Sequence, residues 1–130
     1  MKKVFLGGTC NDSLWRDDFI KELKLDYFNP VGEEWTPEMV KEEIRQREIC
    51  DFCLYVLTPK MEGFYSIAEI IEDSIKQPAK TIFSYLITDG NEYFSKVQIK
   101  SLEQVGEMVK RNGGKYFKSL PEVLEFLNNQ

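Results

Sequence analysis

Apolar residues along this chain fall into two patterns, short unbroken runs and longer stretches at helical spacing. The clearest run is Phe-Cys-Leu-Tyr-Val-Leu over 52–57, the pattern of a strand covered on both faces of a parallel sheet. Thr58-Pro59 and Gly63 interrupt it, and Phe64, Ile67, Ala68, Ile71 and Ile75 then recur at the spacing of a helix. Upstream, 3–6 reads as a first strand and 7–13 as its loop. A helix follows to about residue 25, capped by Asp12 or Ser13, with Trp15, Phe19, Ile20 and Leu23 inward. Residues 26–28 form a short second strand. Thr36-Pro37 opens a largely charged helix to 49, expected outside with a narrow apolar stripe. Downstream, 80–86 is a fourth strand, bounded by Gln77-Pro78 and by Asp89-Gly90-Asn91. A helix over about 98–111 turns Leu102, Val105 and Val109 to one face and ends at Asn112-Gly113-Gly114. A short fifth strand at 115–117 precedes a last helix, opened by Ser119-Leu-Pro-Glu122 in capping-box form, with Val123, Leu124 and Leu127 inward.

This alternation predicts an α/β fold, one flavodoxin-like or Rossmann-like domain over 1–130. Its five-stranded parallel sheet has the order 2-1-3-4-5, with helices on both faces. Ligands of such sheets bind at the carboxyl ends of the strands where the order reverses, here between strands 1 and 3. The loops converging there are 7–13 and 58–66. A receiver domain shares the order, but its acidic pair and signalling lysine are missing from these strand ends.

Charge and composition narrow the chemistry. A net charge of −5 argues against a DNA or RNA polymer as partner, since such binding rests on phosphate neutralisation. No apolar run approaches membrane-spanning length, and two lysines lead straight into a strand. Neither a signal peptide, a membrane segment nor a membrane partner is therefore expected. Three cysteines, an odd number, fit a reduced, cytoplasmic protein. Cys50-x-x-Cys53 lies where a helix hands over to a strand, the reverse of a thioredoxin-like site, so Cys53 reads as core. With no histidine in the chain, His-dependent triads and His-ligated metals are excluded. No metal and no cofactor is expected, and acid–base work falls to carboxylates, Tyr, Lys or Cys.

The two converging loops and the helix behind them offer Gly7, Gly8, Thr9, Asn11, Asp12, Arg16, Gly63, Tyr65, Ser66 and Glu69. Paired glycines after a first strand let the backbone approach a ligand, though they equally suit a tight turn. The pattern is neither GxGxxG nor a Walker loop. A carboxylate early in a helix, with Tyr and Ser beside it, can act as nucleophile at a sugar anomeric carbon. Ser66-Ile-Ala-Glu69 is also a capping-box pattern, and Glu69 lies off the expected Ile67/Ile71/Ile75 face, as a solvated acid would. In the loop before residue 37, Glu33 and Glu34 read as solvated carboxylates. Trp35 reads as a packed loop aromatic in preference to a ligand-stacking face.

Three segments taken together resemble the nucleoside 2-deoxyribosyltransferase superfamily, especially its small transferase-like branch. They are Val4-Phe-Leu-Gly-Gly-Thr-Cys-Asn-Asp-Ser-Leu-Trp-Arg16, Tyr27-Phe-Asn-Pro30, and Cys50-Asp-Phe-Cys-Leu-Tyr-Val-Leu-Thr-Pro59 through Gly63-Phe-Tyr-Ser-Ile-Ala-Glu69. The resemblance implies a glutamate nucleophile that attacks C1′ of a deoxynucleoside and expels the base. A second base or water then takes the sugar. Glu69 falls at the nucleophile position, with Tyr65 and Ser66 orienting it or touching the sugar hydroxyls. Gly7 and Gly8 would border the substrate, and Asp12, Arg16 and Asn29 match the polar signature assigned to substrate binding. The substrate is a small nucleoside or nucleotide, and a homo-oligomer is expected by resemblance.

Two departures stand out. Gly63 occupies the position of an acid that the transferases use at the base, with Glu62 next door as a substitute. Arg45, Gln46 and Arg47 stand where a second acid is expected before the third strand, and Asp51 falls at the wrong end of the sheet. Base protonation therefore has no clear owner. Hydrolysis of a nicotinamide–ribose bond in NAD, or a non-catalytic nucleotide-binding module, are the alternative readings.

Overall fold

The computed structural model describes residues 1–10, 12–31 and 35–130. Its elements, in chain order, begin with β1 (Lys3–Gly8), α1 (Trp15–Glu22), β2 (Asp26–Phe28), α2 (Pro37–Ile49), β3 (Phe52–Leu57) and α3 (Tyr65–Lys76). They continue with β4 (Thr81–Tyr85), β5 (Thr88–Asp89), β6 (Glu92–Tyr93), α4 (Lys96–Arg111), β7 (Lys115–Tyr116) and α5 (Leu120–Asn128). Five strands form an all-parallel sheet in the order β2-β1-β3-β4-β7. This is the expected flavodoxin-like order, with β7 as its fifth strand.

The unbroken apolar runs are explained by two covered faces. Side chains alternate along a strand, and Leu54 and Val56 join Val4, Leu6 and Ile82 against Trp15 and Phe19 of α1 and Val123 and Leu127 of α5. Their neighbours Cys53, Tyr55 and Leu57 join Phe5 and Phe83 on the other face, against Ile70 of α3 and Leu102 and Val109 of α4. Fully burying such a side chain stabilises the fold by about 1.5–3 kcal/mol each.

Several local expectations need correction. The two-residue strands β5 and β6 form an antiparallel hairpin, Thr88 opposite Tyr93, around Gly90 at φ +61°. Asp89-Gly90-Asn91 is thus a hairpin turn as well as the end of a strand region. Helix α1 ends at Glu22 and is capped by neither Asp12 nor Ser13. Ser13 instead donates to Asp89 Oδ2 at 2.6 Å, and Asp12 sits at φ +50°. Helix α4 starts two residues before the expected boundary, at a full capping box between Ser95 and Gln98. Thr36 caps α2 as expected, accepting from the Met39 N–H at 3.2 Å. At α5 the Ser119 cap forms, but Glu122 returns its bond to the Lys118 N–H.

Helix α3 departs most. Its buried residues are Ile70, Asp73 and Ser74, while Ile75 is 65% exposed and Phe64 and Ala68 face out as well. The helix begins at Tyr65, so Ser66 is not its cap and Glu69 lies beyond the first turn. The capping-box reading therefore fails.

Candidate functional site

A cavity of about 470 Å³ opens at the carboxyl ends of β1 and β3, within the size range of small-molecule sites. Its floor is the end of β1. A Cβ on Gly7 would lie 2.7 Å from the Tyr55 ring, and one on Gly8, at φ +107°, would lie 2.0 Å from the Val56 carbonyl oxygen. Both glycines are thus demanded by the closeness of β1 to β3, and both line the cavity. Thr9 follows, accepting from the Thr58 N–H through Oγ1 at 2.9 Å, which ties the two loops together.

Arg16 braces this floor from behind. Its buried guanidinium donates to the carbonyls of Leu6 at 2.9 Å, Gly8 at 3.3 Å and Thr9. These bonds engage it with its own loop, away from the cavity lining. Asp12 and Asn29 also lie off the lining. The Asp12 carbonyl accepts from Lys60 Nζ, and Asn29 Oδ1 accepts from the Val31 N–H. Asn11, Glu33 and Glu34 fall outside the described residues.

The opposite wall comes from α3 and the loop before it, where Gly63, Tyr65, Ser66 and Glu69 line the cavity. Glu69 is not a solvated acid: its side chain is 11% exposed, and Oε2 pairs with Arg47 Nη1 at 3.2 Å. Burial lifts its pKa to about 7. Arg47 pulls it down, and Glu43, Asp73 and Glu72 push it up further.

Arg47 reaches this point from the last turn of α2 and is held on its far side. It donates through Nη2 to Asp73 Oδ1 at 2.9 Å and through Nε to the Tyr55 hydroxyl at 3.0 Å. The Tyr55 hydroxyl in turn donates to Asp73 Oδ2 in a short bond. The Asp73 side chain is only 4% exposed, so this is a buried charge cluster in which each charge is paired and hydrogen-bonded.

Sequence reasoning missed other parts of the wall. Glu43 of α2, one turn before Arg47, lines the same cavity as Glu69. Its pKa is raised by burial, against the opposing pull of Arg47 and Arg16. Trp35, expected to be a packed loop aromatic, is 57% exposed and borders the cavity with Pro30, Val40, Leu57 and Met61. Glu62 and Cys10 complete it. The only sequence signal for Glu43 is its place four residues before Arg47, which puts both on one side of α2. By contrast, Cys50 and Cys53 are buried away from the cavity, and burial raises both thiols, Cys53 to about 12. That environment suits inert core thiols.

No described helix is long and apolar enough to cross a membrane. Among the described residues no His, Cys, Asp or Glu cluster is arranged to hold a metal ion. No curated protein and no solved structure matches the chain. A family profile described as nucleoside 2-deoxyribosyltransferase like matches residues 1–88, which include every element that builds the cavity. The chain belongs to the nucleoside 2-deoxyribosyltransferase-like family.

Proposed function

We propose that the protein cleaves or exchanges the base of a deoxynucleoside, with Glu69 as nucleophile at C1′ and Glu43 as the acid serving the base. The family match ties the chain to nucleoside-related glycosyl transfer. The observation that carries the finer reading is the pairing of two half-buried carboxyl groups in one cavity, one of them beside an arginine. Both are raised by burial, and the ion pair to Arg47 sets Glu69 apart from Glu43. The C1′–N bond breaks as a C1′–O bond to Glu69 forms, and Glu43 gives its proton to the departing base. An incoming base or water then attacks C1′, releases Glu69 and returns a proton to Glu43. Trp35, Val40 and Met61 supply an apolar face for the base, and Tyr65 and Ser66 lie within reach of the sugar hydroxyls.

The lining also favours an unphosphorylated substrate. Glu43, Glu62 and Glu69 line the cavity with no Lys or Arg among its described residues. The four residues outside the description, Asn11, Gly32, Glu33 and Glu34, include no cation. Like-charge juxtaposition costs up to several kcal/mol, so a 5′-phosphate is disfavoured at least ~10-fold.

The test is chromatography of wild type, Glu69→Gln and Glu43→Gln with deoxynucleosides, their 5′-monophosphates and NAD, each with and without an acceptor base. Base exchange that falls at least ~10³-fold in Glu69→Gln is the expected result. Free base without acceptor makes the enzyme a hydrolase. Nicotinamide release from NAD alone, or saturable binding with no turnover, overturns the deoxynucleoside reading.

A further inference from the structure

Arg47 is the cation paired with Glu69 at a cavity lined by three carboxyl groups, and its geometry is over-determined. Asp73 takes two of its nitrogens, at 2.9 and 3.4 Å, the Tyr55 hydroxyl accepts from Nε, and Glu72 accepts from Nη2 at 3.3 Å. Nη1 is left for Glu69, in an ion pair at 3.2 Å. Arg47 is 12% exposed, so its field on Glu69 is little screened by water. Tyr55, Asp73 and Arg47 therefore fix a positive charge at one carboxyl of the pair. Glu43, four residues earlier on the same helix, has no ion pair within 4 Å among the described residues.

From this geometry we infer that Arg47, clamped by Asp73 and Tyr55, is the positioning residue that fixes the Glu69 carboxyl and favours its ionised form against burial and its acidic neighbours. The inference rests on the catalytic reading of Glu69 and adds what makes its carboxylate form available. Without Arg47, Glu69 would face burial and three acidic neighbours with no cation to oppose them. The charged groups around Glu69 are Arg47 and Glu43 from α2 and Asp73 and Glu72 from α3, and only Arg47 favours its ionised form. An opposite charge at this distance moves a carboxyl by about one to three pH units. Burial raises both carboxyls, and Arg47 opposes that rise at Glu69 and, together with Arg16, at Glu43.

Carboxyl-carbon NMR titration of the full chain labelled at glutamate Cδ tests it, with Glu69→Gln and Glu43→Gln assigning the two resonances. In Arg47→Gln, which keeps an amide to hydrogen-bond Asp73, the Glu69 midpoint is expected to rise by about one to three pH units, and in Arg47→Lys to move back toward wild type. The acid limb of the pH–rate profile should follow the same shifts, which a purely structural role of Arg47 would not produce. An unchanged Glu69 midpoint in Arg47→Gln overturns the inference.

If Arg47→Gln does not fold, wild type still decides. The Arg47 guanidinium nitrogen resonances should shift with the Glu69 midpoint and lose that step in Glu69→Gln, and a missing step in wild type overturns the proposal. Because the titration needs no substrate, a chain with the expected midpoints and no turnover fails the catalytic reading alone.

Discussion

The two faces of the sheet are covered in different ways. Under α1 and α5 the packing is dominated by an apolar cluster, with Leu54 and Val56 among Trp15, Phe19, Val123 and Leu127. Under α2 and α3 the same strand presents Tyr55, whose hydroxyl ends in a cluster of Arg47, Asp73 and Glu69. An apolar face is stabilised group by group and tolerates no partner-specific dependence. A buried ionic cluster is at best neutral against an apolar replacement, and costs heavily when one member is lost. The second face thus adds a partner-dependent cluster to its apolar core, and it is the face that carries the carboxyl proposed as nucleophile.

The sharpest way to break this contrast is to remove one residue from each face. Leu54→Ala should cost about 2–5 kcal/mol through lost burial and a cavity. Asp73→Ala should cost about 3–5 kcal/mol, because Arg47 and Tyr55 are left buried without their shared partner. The faces separate in the second step. Adding Arg47→Met to Asp73→Ala should recover much of the loss, since the orphaned charge goes too. No single removal of a neighbour should do the same for Leu54→Ala. Urea denaturation of the single and double variants gives the coupling directly, and additive losses on the α2–α3 side would show that its charges are not acting as a cluster.

That contrast also explains what could be read from the residues alone. The order of the sheet was legible because β1, β3 and β4 are buried on both faces and so appear as unbroken apolar runs. The cavity was legible where it is made of the two loops at the order reversal, which brought Gly7, Gly8, Thr9, Gly63, Tyr65, Ser66 and Glu69 to one place. Helix faces were not. On α3 the recurring Ile residues pointed to a stripe that includes the exposed Ile75, because the sheet side of this helix is set by Asp73 reaching Arg47 and Tyr55. On α2 the apolar signal is faint and the one residue buried is Gln46. Nothing in that pattern could tell that Glu43 lines the cavity and that Arg47 reaches Glu69. The β5–β6 hairpin escaped because two-residue strands carry no alternation, although its Asp-Gly turn was visible.

A smaller effect sharpens the difference through pH. Burial raises the Glu69 carboxyl to about 7 in the fold, against about 4.3 for an ordinary carboxyl in the unfolded chain. With the folded pKa raised, the group's contribution to stability is fully present below about pH 4 and is lost as pH rises through about 7. Glu69→Gln carries no such charge. It should match wild type near about pH 4 and exceed it by ~2 kcal/mol near about pH 8, a figure reduced for partial solvent screening. Thermal unfolding of both proteins across that range checks the sign, and a variant less stable than wild type at high pH would make the Arg47 pair a net stabiliser.

The smallest expected effect sits away from both the cavity and the charge cluster. Ser95 accepts from the Gln98 N–H at 3.1 Å while the Gln98 side chain accepts from the Ser95 N–H at 2.8 Å, which satisfies two donors at the start of α4. Ser95→Ala removes one of them and should cost about 1 kcal/mol. Because α4 packs its Leu102 and Val109 under the same face as Ile70, the loss is shared by the scaffold of α3. Yet it touches no charge that acts on Glu69, so the pH at which activity rises should stay where it is in wild type. A stability loss with an unmoved pH profile is the expected outcome, measured by denaturation and by rates across pH. If the profile moved, the position of Glu69 would depend on the general firmness of the α3–α4 side, and the local clamp at Arg47 would not be sufficient to set it.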